Sequence, residues 1–497
     1  MNHELPAIIQ GGMGVGVSGW RLARAVAQAG QLGVVSGTGL DAVMVRRLQA
    51  GDLGGHVRRA LDFFPLRETA ERIVARYHVP GGKAEGKAYL PKPMPCAKPS
   101  RWGEELLVAA NFVEIFLAKE GHDGQIGINY LEKIQLPTVP SIYGAMLAGV
   151  DWVLMGAGIP KSIPGVMDRL ARGESATLKL HVVGALPEEE FGTTFDPAAF
   201  MGGTAPLLAR PHFVAIVSSA TLATMLARRS EGRVDGFVVE LSRAGGHNAP
   251  PRGGTRLNEA GEPVYGPRDD PDLETIRKIG LPFWLAGGFA STSALARAVL
   301  AGAAGVQVGT AFAFCEESDL DPEIKEQVLK SSLAGDLRVI TDPVASPTGF
   351  PFKVVELEGT LSERTRYEQR RRICDLGYLR QAYRTESGTL GWRCSAEPIE
   401  DFVSKGGDVE ETTGRKCLCN ALLGNLGLGQ VVADGSVEKP LVTSGADVLA
   451  VTRFLPPDQI TYSAQEVIDQ ILPDIIEDDS SQAPIPAEIE ATQIPVP

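Results

Sequence analysis

Long hydrophobic runs are missing: nowhere in the 497 residues does an uninterrupted apolar stretch approach the roughly 20 residues needed to cross a bilayer, so no membrane span is expected. The amino terminus, MNHELPAIIQGGMG, also lacks a basic segment followed by an apolar core and a cleavage site. It does not read as a secretory signal, and a cytoplasmic location is the expectation. Positive charge is scarce relative to negative: 48 Lys and Arg against 61 Asp and Glu leave a formal charge of -13, which argues against a nucleic-acid partner. Part of that charge is local, because residues 474–497 carry six acidic side chains, no Lys or Arg, and four prolines. Such a tail is expected to be disordered. Cysteine is rare too, and uneven. Cys96 and Cys315 stand apart, whereas Cys374, Cys394, Cys417 and Cys419 fall close together. In a reducing compartment those four read as buried thiols, with a structural metal or iron–sulfur site as the weaker alternative, since they match no paired CxxC pattern.

What is present is an ordinary globular composition, 44% hydrophobic and 22% charged, on a chain long enough for a large core and a second module. Short Val- and Ile-rich segments recur, each followed by a Gly-rich or polar turn and then a stretch of helical spacing. They are AIIQGG (7–12), LGVVSG (32–37), QIGINYL (125–131), DWVLMGAG (151–158), LKLHVVGA (178–185), HFVAIVSS (212–219), DGFVVEL (235–241), PFWLAGG (282–288) and GVQVGT (305–310). Near-continuous apolarity marks strands covered on both faces, as in a parallel sheet under helices. The fold class expected is α/β: a (β/α)8 barrel over residues 1–342, with one surplus strand, LKLHVVGA or HFVAIVSS, in an insertion. Residues 41–123 are too long for a simple crossover and read as a helical insertion whose Lys-rich loop is a solvated face. Residues 343–473 read as an appended, mostly helical module.

Two glycine-rich regions look able to hold a flat, anionic ligand. After the last two strands, Gly287, Gly288 and Gly309 leave backbone N–H groups accessible and Thr310 adds a hydroxyl, the arrangement of a phosphate site at the mouth of a barrel. After the first strand, Gly11, Gly12 and Gly14 let a planar ring approach bare backbone. A dinucleotide fingerprint is the other reading of GGMGVG, but no acidic residue ends a second strand at the distance it requires. Asn129 would project an amide from the third strand, and Met13 and Met155 could pad a ring. Between these regions, AGGHNAPPRGG (244–254) uses Gly245 and Gly246 to deliver His247, an imidazole able to move a proton near neutral pH. Arg252 is a candidate partner for an anion.

Taken in order, Gln10 to Gly14, Gly127-Ile128-Asn129, Glu240 to His247, Gly287-Gly288 and Gln307 to Thr310 resemble the nitronate monooxygenase family of FMN-dependent (β/α)8 barrels, over roughly residues 5–315. The resemblance implies FMN as cofactor, its phosphate held at Gly288 and at Gln307, Val308, Gly309 and Thr310, its ring near Asn129 and Gly12, and His247 as the catalytic base. It implies oxidation of alkyl nitronates or nitroalkanes by oxygen to carbonyl compounds and nitrite. The chain departs from the family in the Asn248 to Arg252 sequence after the histidine, in the 41–123 insertion and in its carboxy-terminal module. In these respects it also looks like FMN- and NAD(P)H-dependent enoyl reductases of polyketide and polyunsaturated fatty acid synthesis. A barrel serving only as a non-catalytic scaffold is the third reading. The expected partner is a small-molecule substrate, with neither nucleic acid nor membrane, and a homo-oligomer is compatible with the composition.

Overall fold

The computed structural model describes residues 5–472; the acidic tail lies outside the described residues. Eight parallel strands form one sheet: Ile8–Gln10, Gly33–Ser36, Ile126–Leu131, Trp152–Gly156, His212–Val217, Gly236–Glu240, Phe283–Ala286 and Gly305–Val308. Seven neighbouring pairs are laddered, including the first strand against the eighth, and a parallel bridge between Ile9 and Leu32 joins the first to the second and closes the barrel. The surplus ninth segment is LKLHVVGA. Its first half belongs to Ala176–Lys179, which pairs antiparallel with Gly192–Phe195 outside the barrel, while Val182–Val183 pairs with Gln381–Arg384. Ala176–Lys179 alternates buried and exposed residues, as a strand with one wet face does, whereas HFVAIVSS supplies a true barrel strand.

The double coverage that makes the barrel strands apolar throughout is visible in the cores. Ile9, Leu32, Val34, Trp152, Leu154, Val214, Val238, Trp284 and Ala286 fill the barrel interior, and the alternate residues of the same strands face the helical layer. Trp284 is fully buried, yet its indole N–H is satisfied by donating to Pro6 O at 2.8 Å. On the outside, Trp20–Gln28 buries Trp20, Leu22, Ala23, Val26 and Ala27, the i, i+3, i+4 spacing of one helical face.

Residues 41–123 contain most of Leu40–Gln49, then the helices His56–Asp62, Arg67–Tyr77 and Arg101–Lys119, the last begun by Ser100, whose side chain accepts from Gly103 N. The Lys-rich loop in this region is not wholly a solvated face. Lys92 is buried and pairs with buried Asp41 at 2.7 Å, and Asp41 also accepts from the Tyr378 hydroxyl. Insertion, barrel helix and carboxy-terminal module therefore meet on one carboxylate.

The carboxy-terminal module is less helical than its sequence suggests. SERTRYEQRRRICDLGYLRQAY holds only the helix Arg364–Gln369 and then runs extended into Gln381–Arg384. Tertiary demands override propensity here: Arg370 makes a two-pronged bond to buried Glu438 at 2.7 and 2.8 Å, and Arg372 reaches the carbonyls of Ser395 and Thr412. Phe352–Glu356 forms a hairpin with Arg338–Asp342.

Replacing Lys92 with Met leaves Asp41 buried without its cation, so denaturant unfolding should show a loss of about 3–5 kcal/mol. Adding Asp41→Asn should recover part of that loss, and equal stability of Lys92→Met and parent would remove the pair from the account of how the module is held.

Candidate functional site

The ends of all eight strands open on one cavity. Gly11 to Gly14, Ser36 and Thr38, Asn129 to Leu131, Gly156, Ile216, Glu240, Ala286 to Ala290 and Gln307 to Thr310 line it in strand order. Most residues nominated above for catalysis or cofactor binding lie on this wall: His247, Gly11, Gly12, Met13, Asn129, Gly245, Gly246, Gly287, Gly288, Gln307, Val308, Gly309 and Thr310. Met155 does not; it is fully buried and lines a separate cavity. Arg252 is also absent from the wall, because its guanidinium donates to the carbonyls of Arg268 and Ser218 and ties a surface loop together.

The geometry fits a flat, phosphorylated ligand. A Cβ on Gly12 would overlap the Asn129 side chain, so the first loop can lie against the third strand only as bare backbone. Gly287 and Gly288 adopt φ of +102° and +87°, a turn that brings main chain to the cavity without strain. Asn129 Oδ1 and Gln307 Oε1, both on the wall, are buried and have no hydrogen-bond partner. Buried polar atoms rarely stay unpaired, and two amides meeting one cavity suit the edge of a heteroaromatic ring. Thr310 differs from the expectation. Its hydroxyl donates to Asp447 Oδ1 at 2.9 Å and accepts from Gly445 N, so its proton is already committed.

His247 is positioned from outside the barrel. Its Nε2 lies 2.7 Å from the hydroxyl of fully buried Ser346, its ring meets Phe352 edge-on at 4.9 Å, and the turn is pinned by Lys353 N donating to Gly246 O and Asn248 N donating to Pro351 O. Burial pushes its pKa down to about 4, so the imidazole is neutral across the physiological range. Glu240, on the same wall, is pushed up to about 8 by burial and holds its proton at pH 7. Sequence reasoning passed over Ser346, Phe352, Tyr378, Ser444 and Asp447 because they carry no local motif; only the chain's return over the barrel mouth brings them here.

The four clustered cysteines share one small cavity, but among the described residues no group of three or more His, Cys, Asp or Glu side chains is arranged to hold a metal ion. All four are free thiols. Burial pushes Cys374 up to about 12 and raises Cys394 as well, keeping both protonated, whereas a hydrogen bond with Cys419 draws Cys417 below its ordinary range.

A parallel eight-stranded barrel whose strand ends converge on one glycine-lined cavity with a neutral imidazole is the architecture of a barrel enzyme. Within it, residues 206–347 match the model of the nitronate monooxygenase family and carry that domain. A curated relative, (3aS,4S,5R,7aS)-5-hydroxy-7a-methyl-1-oxo-octahydro-1H-indene-4-carboxyl-CoA dehydrogenase of Mycobacterium tuberculosis, is 30% identical over 124 residues, 25% of this chain and 30% of that protein. The match thus spans less than a third of the relative's length. Among solved structures, FabK from Thermotoga maritima aligns over 94% of this chain and 91% of its own with TM-score 0.47 and 16% identity. A nitroalkane oxidase from Streptomyces ansochromogenes aligns over 95% and 96% with TM-score 0.46 and 15% identity. The enoyl reductase domain of MlnA from Bacillus amyloliquefaciens aligns over 94% and 93% with TM-score 0.47 and 12% identity. No helix among the described residues is long and apolar enough to cross a membrane.

The two shifted groups impose opposite pH slopes. Folded His247 resists a proton that the unfolded chain takes up below about 6.5, so stability falls as pH drops from there through about 4. Folded Glu240 keeps a proton that the unfolded chain releases above about 4.5, so stability falls as pH rises from there through about 8. Thermal unfolding of Glu240→Gln should show a flatter alkaline slope than the parent; the same slope in both would mean that Glu240 ionises in the fold as it does in water.

Proposed function

We propose that the protein is an FMN-dependent oxidoreductase acting on a neutral, apolar-tailed substrate, and that NAD(P)H-dependent reduction of an enoyl thioester describes it better than oxidation of nitronates. The observation that carries this reading is the charge of the wall. Among the described residues no Lys or Arg lines the cavity, the Arg243 guanidinium standing beside Gly288 without joining the lining, whereas the acidic Asp447 does line it. A nitronate anion would leave water without meeting a cation, a cost that a neutral acyl group avoids. Val15, Leu131, Ile134, Tyr378, Leu379, Leu418 and Leu422 give the same cavity an apolar surface suited to a hydrocarbon chain. The curated relative is itself named for a carboxyl-CoA compound. Oxidation of nitronates keeps the support of the family match over residues 206–347.

Gly287, Gly288 and the backbone of Val308 to Thr310 would hold the phosphate of the flavin, and Gly12, Asn129 and the Gln307 side chain the ring. When bound, FMN supplies a carrier that accepts two electrons from one partner and passes them to the other. The chain's own residues orient the substrate and manage the proton. His247 is too weakly basic for ready removal of a nitroalkane proton, because a base works best with a pKa near the working pH. In the tautomer in which Ser346 donates to Nε2, the imidazole proton sits on Nδ1 and is available to a substrate oxygen. Glu240, protonated at pH 7, is another proton-bearing group on the wall.

Anaerobic mixing decides between the readings. NADPH or NADH should bleach the flavin, and crotonyl-CoA should restore its colour. Rapid oxygen uptake with propyl-2-nitronate, with no bleaching by either nicotinamide, would establish nitronate oxidation instead. Protein that stays colourless after incubation with FMN would leave the scaffold reading. His247→Ala should keep its flavin and lose turnover by on the order of 10²-fold, the usual effect of removing one oriented donor.

A further inference from the structure

Thr443–Asp447 lies far along the chain from the barrel strands, yet it is stitched to the loops around the cavity. Gly445 N donates to Thr310 Oγ1 at 3.1 Å, Thr310 Oγ1 donates to Asp447 Oδ1 at 2.9 Å, Gly246 N donates to Thr443 Oγ1 at 3.0 Å, and Ala446 N donates to Arg243 O at 3.0 Å. The contact is backbone to backbone: a Cβ on Gly245 would come within 2.8 Å of the Ser444 carbonyl carbon. At the centre of this segment Ser444 is 4% exposed, lines the cavity, and has a buried hydroxyl oxygen without any hydrogen-bond partner.

An unpaired hydroxyl in that position is costly unless something in the cavity takes it. Its neighbour cannot serve in its place, because the Thr310 proton goes to Asp447. Among the described residues no Lys or Arg lines the cavity itself and one guanidinium, that of Arg243, stands beside Gly288, so neutral donors must supply the contacts inside the cavity, against the carboxylate of Asp447. We propose that Ser444 donates its hydroxyl to the phosphate of the flavin, so that the carboxy-terminal segment completes an anion site that the barrel loops leave unfinished. This assignment rests on the flavin reading above and names a contact from outside the barrel.

The test compares two flavins that differ only in the phosphate. In full-length Ser444→Ala stripped of flavin, quenching of flavin fluorescence should show FMN binding weakened by on the order of 10- to 100-fold, the usual effect of losing a hydrogen bond to a charged group. Riboflavin, which has the ring and no phosphate, should bind parent and variant alike, and this also shows that the pocket has folded. Unchanged FMN affinity, or equal weakening for FMN and riboflavin, overturns the assignment while leaving the flavin reading intact. A parent protein that binds neither flavin overturns the flavin reading, and the Ser444 contact with it.

Discussion

The constraint on which the site depends is that the GGH turn cannot hold itself. Gly245 and Gly246 give backbone freedom, and freedom costs entropy unless other groups take it away. Besides the turn's own bonds, Ala244 N to Leu241 O and Asn248 Nδ2 to Ala244 O, these come from the carboxy-terminal part of the chain: Thr443 accepts from Gly246 N, Lys353 N donates to Gly246 O, Pro351 O accepts from Asn248 N, and Ser346 meets the His247 ring. The barrel supplies the strand that carries His247 to the mouth, and the module sets where the imidazole stops. A module able to do this must be fixed to the barrel at least as firmly as the turn is fixed to it.

That fixing combines apolar packing, as of Phe352, Leu376 and Leu418 with Val15, Val43 and Ile134, with charged groups. Asp41 with Lys92 and Tyr378, and Arg46 with Leu428 O and Asp375, join barrel helix, insertion and module in places where hydrophobic contact alone would leave the register free. Such pairs add little net stability over apolar packing, but they penalise wrong arrangements heavily, because a displaced partner leaves a bare charge in a dry site. The arrangement thereby sacrifices some stability for a single docking geometry, which a cavity built from two distant parts of the chain requires.

The barrel was legible in the sequence because its physics is local. A strand buried on both faces must be apolar along its length, and GFVVEL, HFVAIV and FWLA show it plainly. LKLHVVGA looked similar, but Lys179 and His181 break the run as a half-exposed strand would. The glycine loops and His247 were legible as motifs, since each announces an unusual backbone or a titratable group. Ser346, Ser444 and Asp447 were not, because a serine in SPTG or TSGA says nothing about what the chain will fold against. The basic run 364–372 misled for the related reason that its arginines find partners far away rather than along a helix.

The same reasoning bears on the family match. The matched stretch, 206–347, contains the fifth to eighth strands with His247, Gly288 and Thr310, one part of the cavity wall. Leu418, Leu422, Leu379 and Tyr378, which give the cavity its apolar surface, come from beyond it. The cavity wall is thus assembled from separate stretches that meet only in the folded chain. A match to the first carries weight for the kind of reaction. The wall contributed by the second, apolar at Tyr378, Leu379, Leu418 and Leu422 and acidic at Asp447, bears on what can enter.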